Sequence, residues 1–296
     1  MKTKHVPVLL QPIIDSLQPI NDGVYIDATL GGGGHSKEIL KNLKSGELTA
    51  FDISKEACEE FERQIPELNI NKNVRVRVIN TNFKNIDEYI SNKGKVSGII
   101  ADLGFSTDQL EQVKGLSFLN DQELDMRMDP TLTVKASDLL NGLYAKELEN
   151  LFWKYGDIRF AKKLAESICK VRAVKPINKT NDLNLIIQRI VPFGLRKGDN
   201  KHPEAKVYQA LRIAVNDELN SLNSFLEKGF DLLGPGGKFA IITFHSGEDK
   251  IVKSYFGHLV DVNLARFVAR LIKPSDEEIK LNKNSRSAHL RVIEKL

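Results

Sequence analysis

The sequence predicts an α/β protein, with a doubly wound, mainly parallel β-sheet and an inserted all-helical domain. In the first hundred residues, short apolar segments typical of strands alternate with amphipathic segments typical of helices, which is a βαβ pattern. The strand pattern then stops for over a hundred residues, where apolar side chains recur every three or four positions, and it returns near the carboxyl end. A chain of 296 residues, 41% of them apolar, has room for roughly two such domains.

The first part of the chain contains four predicted strands and two predicted helices. The helices follow Gly34 and cover residues 55–64. Because the strands are short and apolar and helices separate them, we expect a parallel sheet with helices on both faces. The strands are VYID (24–27), ELTAFD (47–52), VRVRVIN (74–80) and SGIIADL (97–103).

The helical part contains two clear amphipathic helices. The first carries an apolar stripe from Ile158 to Ile168 and ends before Pro176. The second begins near Thr180 or Asn181 and stops at Pro192.

A single longer helix is predicted from about residue 205, and it ends at LGPGG. KFAIITF (238–244) is then predicted as a buried strand and AHLRVIEK (288–295) as a final edge strand. The predicted domains are therefore a core of residues 1–107 with 205–296, and an inserted helical domain of residues 108–204. One stripe of the long helix carries Val207, Leu211, Val215, Leu219, Leu222 and Leu226.

The sequence predicts a cytoplasmic protein without membrane attachment. Prolines and polar residues within positions 7–15 interrupt the apolar amino-terminal stretch too early for a signal peptide, and no run approaches the roughly 18 apolar residues of a membrane span. Two cysteines, Cys58 and Cys169, suit a reducing compartment. They and His35 lack the spacing of a metal site, so no metal is predicted.

Positive charge is concentrated in one part of the chain. Residues 154–212 hold fourteen Lys or Arg against five Asp or Glu, whereas the whole chain has a net charge of only +4. A basic segment of this kind is typical of proteins that bind a polyanion such as RNA. The alternative is an ordinary solvated helical face.

A glycine-rich loop joins the first strand to the first helix. It reads DATLGGGGHS (27–36), at the place where doubly wound folds bind nucleotides. Gly31 and Gly33 begin a G-x-G-x-x-G pattern, but Ser36 stands at its third glycine. The loop alone therefore does not choose between ligands.

Three aspartates at predicted strand ends distinguish between nucleotide ligands. Asp52 suits a pair of ribose hydroxyls in a dinucleotide or an adenosyl ligand. Asp27 and Asp102 would repel a diphosphate and stabilise the ammonium and sulfonium of S-adenosylmethionine (AdoMet), so AdoMet is favoured over NAD. Phe83 could cover an adenine or simply pack in the core.

Eight sequence blocks, in the same order from end to end, resemble the MraW/RsmH family of 16S ribosomal RNA cytosine-N4 methyltransferases. LDMRMDP and TFHSGEDKIVK are the specific ones, whereas many methyltransferases share the glycine loop. The blocks are HVPVLL (5–10), YIDATLGGGGHS (25–36), ADLGFSTDQL (101–110), LDMRMDP (124–130), YGDIRFAKKLA (155–165), QALRIAVNDEL (209–219), TFHSGEDKIVK (243–253) and RSAHLRV (286–292).

The resemblance implies a class I (Rossmann-like) methyltransferase core with AdoMet as donor. The implied acceptor is a cytidine in the decoding centre of 16S rRNA, within the small ribosomal subunit. The implied cofactor contacts are Gly33, Gly34, His35, Asp52, Phe83, Asp102 and Gln109.

Catalysis is assigned to Asp102 as a hypothesis. A cytosine amine is a poor nucleophile, so we expect Asp102 and the loop from Leu103 to Ser106 to orient it and accept its N–H. Two other classes of protein remain open. A non-catalytic RNA-binding assembly factor would keep the basic segment, and an NAD-dependent oxidoreductase would share the sheet.

Three further features have alternative interpretations. His245 either contacts RNA or donor or has a structural role, which is more usual for a lone loop histidine. Arg127 and Asp129 either line the acceptor site or form a capped turn. Trp153 is expected in the core of the helical domain rather than on a base-stacking surface.

Overall fold

The computed structural model describes residues 7–91, 93–104, 113–191 and 202–296. The chain divides into two compact units, Met1–Gly104 with Leu219–Leu296, and Phe105–Glu218. We call them the sheet unit and the helical unit. Among the described residues, no helix is long and apolar enough to span a membrane.

The sheet unit contains one seven-stranded sheet of order β3-β2-β1-β4-β5-β7-β6. Strands β1 to β5 are parallel, while β7 is antiparallel to both β5 and β6. This confirms the predicted mainly parallel, doubly wound fold. The strands are β1 (Val24–Asp27), β2 (Gly46–Asp52), β3 (Val74–Asn80), β4 (Val96–Asp102), β5 (Leu233–Thr243), β6 (Ala265–Ile272) and β7 (His289–Lys295).

Helices belong to both units. Those of the sheet unit are α1 (Leu10–Leu17), α2 (Gly34–Asn42), α3 (Lys55–Gln64), α4 (Ile86–Tyr89), α10 (Glu218–Leu232), α11 (Ser246–Asp261) and α12 (Asp276–Leu281); α10 begins one residue before the boundary between the units. Those of the helical unit are α5 (Ala136–Gly142), α6 (Ala145–Gly156), α7 (Ala161–Arg172), α8 (Thr180–Ile190) and α9 (Pro203–Asn216).

Apolar residues cover both faces of the sheet. Along β5, Phe239 and Ile241 belong to one buried cluster, while Ala240 and Ile242 belong to another. Since successive side chains of a strand point to opposite faces, this continuous apolar run requires helices on both sides. The predicted two-sided sheet is confirmed.

The predicted long helix is wrong, because two helices occupy that segment. Asp217 lies between α9 and α10 in the left-handed region, with φ 50°. Val207, Leu211 and Val215 pack in the helical unit. Leu222 belongs to the sheet unit's core, so one sequence stripe contributes to two separate cores. The helical unit accordingly extends past the predicted boundary at residue 204.

The predicted edge position of the last strand is also wrong. Strand β7 lies between β5 and β6, and β6 forms the edge. The sequence interpretation missed β6, in which Arg266 and Arg270 interrupt the apolar residues. Those arginines are exposed, which suits an edge strand that only one neighbour covers.

An ion pair joins α11 to β7. Arg291 Nε and Nη2 donate to the two carboxylate oxygens of Asp249 at 2.8 and 3.0 Å, and the Arg291 side chain is 9% exposed. Burial disfavours ionisation of Asp249, but the hydrogen bonds and charge of Arg291 outweigh it and lower the Asp249 pKa. The TFHSGEDKIVK and RSAHLRV blocks are thus connected.

We predict that Arg291→Met lowers the free energy of unfolding by about 3 kcal/mol, because Asp249 would stay half-buried without its partner. Urea denaturation measures the loss. The control is Arg266→Met, which removes the more exposed pair with Glu294 at 2.7 Å and is expected to cost less than about 1 kcal/mol. Equal losses in the two variants would contradict the prediction.

Candidate functional site

The candidate site lies at the carboxyl ends of β1 and β4. Strand β1 pairs with β2 on one side and β4 on the other, so the strand order reverses between them. Crevices at such reversals are where open α/β sheets bind ligands. Asp27 ends β1 and Asp102 ends β4, so the topology brings these two predicted residues together.

Asp27 organises the glycine loop. Its Oδ2 accepts a hydrogen bond from Ser36 Oγ at 2.6 Å, and its Oδ1 accepts one from Thr29 N at 3.1 Å. The side chain is buried, and burial raises the Asp27 pKa to about 6, although the Ser36 hydrogen bond acts in the opposite direction. Asp27 is therefore largely ionised at neutral pH and places negative charge beneath the loop.

Asp52 supports the same loop from the end of β2. Its Oδ2 accepts from Gly31 N at 2.7 Å and its Oδ1 from Ser54 N at 2.8 Å. Burial raises its pKa, while those two backbone hydrogen bonds oppose the increase. Since a carboxylate oxygen can accept more than one hydrogen bond, Asp52 retains capacity for ligand hydroxyls.

Asp102 differs from the other two aspartates because one of its carboxyl oxygens has no partner. Its backbone N donates to Thr29 Oγ1 at 2.6 Å, but its Oδ1 is buried and has no hydrogen-bond partner among the residues that the structure describes. Burial raises the Asp102 pKa to about 8, and the charges of Asp27, Glu248 and Glu278 add to the increase. A positive charge next to Asp102 would favour its ionised form.

The glycines of the loop differ in the space that a side chain would find at each position. A Cβ on Gly33 would overlap the Phe61 ring, and one on Gly34 would overlap Pro7. Both glycines therefore allow close packing within the protein. Gly31 has φ +49° and open space where its Cβ would lie, so it alone among these three offers free room beside the backbone.

His35 and Phe83 also have internal contacts. The His35 ring Nε2 lies 2.9 Å from Val8 O, and the side chain is buried. The half-buried Phe83 ring packs on Phe225 with 5.0 Å between centroids. This contact favours the core-packing interpretation of Phe83, and its contact with adenine stays a prediction. Gln109 and loop positions 105–106 lie outside the described residues.

The structure gives His245 a role in helix capping. Its Nδ1 accepts from Glu248 N at 3.3 Å at the start of α11, and Glu248 Oε2 accepts from the backbone N of Phe244 at 2.9 Å. This capping box favours the structural interpretation of His245. In the sequence, the capping role of Glu248 is indicated by its position three residues after the N-cap residue His245. Glu278 offered no such signal, since its contact with Leu9 N spans 269 positions.

The LDMRMDP block forms a hydrogen-bonded turn within the helical unit. Arg127 donates to both carboxylate oxygens of Asp125, at 2.6 and 2.9 Å, and to Leu132 O at 2.6 Å. Asp129 Oδ1 accepts from Thr131 N at 2.8 Å. The capped-turn interpretation is confirmed, and the Arg127 guanidinium is already engaged inside the protein.

The expectation that Trp153 lies in the helical core is wrong. Its side chain is 60% exposed, while the neighbouring Phe152 is fully buried. On a helix, each residue points about 100° away from its neighbour, and at position 153 this turn carries the side chain off the buried face. Leu148 and Leu151 lie on the buried face together with Phe152.

The carboxyl ends of β1 and β4 suit a cationic, nucleotide-like ligand. The buried, unpartnered oxygen of Asp102 lacks a donor, Asp27 adds negative charge, and Asp52 can accept from hydroxyls. The sulfonium, ammonium and ribose groups of AdoMet match these three features. The fold and site define an S-adenosylmethionine-dependent methyltransferase.

Comparisons with known proteins name the family. The model of the MraW methylase family matches residues 2–296, and the chain belongs to this family. A curated relative from Finegoldia magna, named ribosomal RNA small subunit methyltransferase H, is 39% identical over 100% of both chains. A relative of the same name from Mycoplasmopsis synoviae is 40% identical over 100% of this chain and 99% of the relative.

A solved structure, that of an rRNA methylase from Streptococcus thermophilus, aligns over 99% of both chains. It has 14% sequence identity and a TM-score of 0.48. The family assignment therefore rests on the sequence relatives.

We predict that Asp102→Asn stabilises the unliganded protein, and more so as the pH rises. In the folded state Asp102 has a pKa of about 8, whereas the unfolded value is near 3.8. Unfolding between these values releases a proton, so this carboxyl increasingly destabilises the folded state as pH rises through that window. The gain in the free energy of unfolding is expected to be larger at pH 8 than at pH 5 in urea titrations.

The control is Asp125→Asn, at a carboxyl whose pKa is lowered by its hydrogen bonds to Arg127. That carboxyl is ionised in the folded and the unfolded protein from pH 5 to pH 8. The substitution should therefore change the free energy of unfolding by the same amount at the two pH values. An Asp102→Asn effect that does not change with pH would rule out the raised pKa.

Proposed function

We propose that this protein transfers the methyl group of AdoMet to the N4 amine of a cytidine in the decoding centre of 16S rRNA, within the small ribosomal subunit. The family match across the chain supports methyl transfer to rRNA, since the matched relatives are named small-subunit rRNA methyltransferases. A cytoplasmic location follows from this substrate. The observation that carries the chemistry is the unpartnered oxygen of Asp102 at the strand-order reversal.

In the proposed arrangement, the sheet unit holds the donor. Asp52 accepts hydrogen bonds from the ribose hydroxyls, and Asp102 and Asp27 face the cationic end. Gly33, Gly34, His35, Phe83 and Gln109 complete the proposed cofactor contacts. AdoMet supplies an electrophilic methyl group on a positively charged sulfur.

Asp102 has the proposed catalytic role. The lone pair of a cytosine amine is delocalised into the ring, so an acceptor for its N–H raises the electron density on nitrogen and orients it. The free oxygen of Asp102 can accept that hydrogen bond once a neighbouring positive charge keeps the carboxyl ionised. The target base must be unpaired or flipped to reach such a site.

The helical unit has the proposed role of contacting rRNA. Four of the basic residues in positions 154–212 have partners inside the unit. Arg172 donates to Leu140 O, Lys175 pairs with Asp182, Lys179 pairs with Asp121, and Arg212 pairs with Glu218.

A second group of basic residues remains available to a polyanion. Lys162, Lys163 and Lys170 are exposed on α7 and have no ion-pair partner among the described residues, whereas Leu164 and Ile168 are buried. Arg196, Lys197 and Lys201 lie outside the described part of the chain.

The reaction is tested with small subunits purified from a strain that lacks the gene. Incubation with labelled AdoMet, followed by mapping of modified nucleosides, is expected to yield one N4-methylated cytidine in 16S rRNA. Label in no nucleoside would favour the alternative of a non-catalytic assembly factor. Label at another position would overturn the proposed acceptor. An NAD-dependent oxidoreductase conflicts with the family assignment.

We expect Asp102→Asn to reduce the methylation rate roughly 100-fold, because the neutral amide lacks the negative charge and its oxygen is a weaker hydrogen-bond acceptor than a carboxylate. The assay is single-turnover transfer to small subunits, with AdoMet binding measured separately by calorimetry. The control is Asp22→Asn, the same change at an exposed aspartate, which should leave the rate unchanged. A variant that binds AdoMet and methylates at the wild-type rate would refute the role of Asp102.

Reversing the charges of Lys162, Lys163 and Lys170 to Glu is expected to raise the KM for small subunits and to reduce its dependence on salt. With fewer phosphate contacts, binding releases fewer counterions, and the affinity therefore depends less on salt. AdoMet affinity should not change, because these residues belong to the helical unit.

The matched control reverses three exposed lysines of the sheet unit, Lys41, Lys55 and Lys72. This triple variant should bind small subunits with the wild-type salt dependence. A loss of AdoMet affinity in the helical-unit variant would contradict the proposed division of roles.

A further inference from the structure

Trp153 exposes a large aromatic surface on the helical unit. The side chain is 60% exposed, in the last turn of α6, and no ring stacks on it among the described aromatic pairs. Covering such a ring with the face of another planar group would remove apolar surface from water and is favourable. The helix does not need the Trp153 ring for packing, since Leu148, Leu151 and Phe152 fill its buried face.

The chain around Trp153 is strongly basic. Residues 153–163 contain four Lys or Arg and a single acidic residue, Asp157. After α6 the backbone turns back on the helix end, where Asp157 N donates to Trp153 O at 3.1 Å and Ile158 N donates to Phe152 O at 3.4 Å. The connection to α7 therefore begins against the turn that carries Trp153, and it leads directly to Arg159.

The cations of this segment are available to a ligand. Arg159, Lys162 and Lys163 are exposed and have no ion-pair partner in the part of the chain that the structure describes. Lys154 Nζ lies 5.0 Å from the centroid of the Tyr155 ring, a weak contact at an exposed site. We call Trp153, Lys154, Arg159, Lys162 and Lys163 the Trp153 patch.

We propose that the Trp153 patch binds a single-stranded segment of rRNA, with an unpaired base stacked on the Trp153 ring and the flanking phosphates held by the patch's cations. Surfaces that combine an aromatic ring with positive charge are typical of single-stranded nucleic-acid binding. A duplex would offer no free base face to the ring. This inference rests on the proposed function for the identity of the RNA, and it adds a recognition surface outside the methyl-transfer site.

The direct test uses the intrinsic fluorescence of the full chain. Trp153 is the sole tryptophan of the 296 residues, so its emission reports on this position alone. The probes are an oligouridylate of roughly ten nucleotides and an abasic ribose-phosphate oligomer of the same length. Saturable quenching by the oligouridylate and little quenching by the abasic oligomer are expected, because only the former can stack. Equal quenching by both, or by neither, would overturn the proposal.

A third probe distinguishes RNA from an acidic protein partner. Polyglutamate has negative charge but no base. If polyglutamate quenches Trp153 and oligouridylate does not, the patch is a protein-binding surface and the proposal is wrong.

Substitution separates stacking from charge. Trp153→Ala is expected to raise the KM for small subunits roughly tenfold while kcat and AdoMet affinity stay unchanged, and Trp153→Phe should restore most of the loss. The matched control is Tyr144→Ala, which removes a 77% exposed aromatic side chain at the start of the same helix. Because both side chains are exposed, circular dichroism should show an intact fold in each variant.

The outcomes also separate this proposal from the proposed function. A wild-type protein that methylates small subunits, together with a Trp153→Ala variant of unchanged KM, would overturn the patch alone. A wild-type protein that transfers no methyl group but shows base-dependent quenching would overturn the proposed reaction alone. An equal KM increase in Tyr144→Ala would overturn the assignment to Trp153.

Discussion

The burial of carboxylates at the reversal of strand order is the constraint on which the rest of the site depends. Strands β1 and β4 are adjacent, so Asp27 and Asp102 end at the same place in a largely dehydrated crevice. Burial raises the pKa of both residues, and for Asp102 the charges of Asp27, Glu248 and Glu278 add to the increase. Ser36 and Thr29 donate hydrogen bonds to Asp27, whereas no described residue donates one to Oδ1 of Asp102. A site that is unfavourable when empty is well suited to a cationic ligand.

Hydrogen bonds between backbone and side chains maintain this arrangement. Thr29 Oγ1 accepts from the Asp102 backbone, and Asp52 holds the Gly31 amide, so the loop is attached to three neighbouring strands. Just beyond the carboxyl end of the neighbouring strand β5, the buried pair of Arg291 with Asp249 connects the antiparallel strand β7 to helix α11. The most specific sequence blocks of the family therefore include residues with a structural role.

Much of the fold could be predicted from sequence, because strands β1 to β4 are short apolar runs bounded by helices, and their observed bounds differ from the predicted ones by at most one residue at either end. The prediction failed where a local pattern of apolar residues does not show which other segment those residues pack against. The stripe from Val207 to Leu226 is continuous in sequence, yet its two halves pack in different cores. Strand β6 was missed because its arginines interrupt the continuous apolar run by which the other strands were recognised. Trp153 was misplaced because an aromatic residue next to Phe152 says nothing about which of the two faces inward.

The sequence by itself determined the class of fold, the family and the three strand-end aspartates, since strand periodicity, the glycine loop and the motif blocks are local features. Only the tertiary structure decided which of these residues have hydrogen-bond or packing partners within the protein. Position 33 must be glycine because the Phe61 ring occupies the space of a Cβ. Glu278 accepts a hydrogen bond from the backbone N of Leu9, although the two residues are 269 positions apart in sequence. Of the three strand-end aspartates, Asp102 keeps a buried oxygen that has no partner in the described part of the chain. Burial and the hydrogen-bond partners of a group depend on chain segments far apart in sequence, and for that reason no local pattern could reveal them.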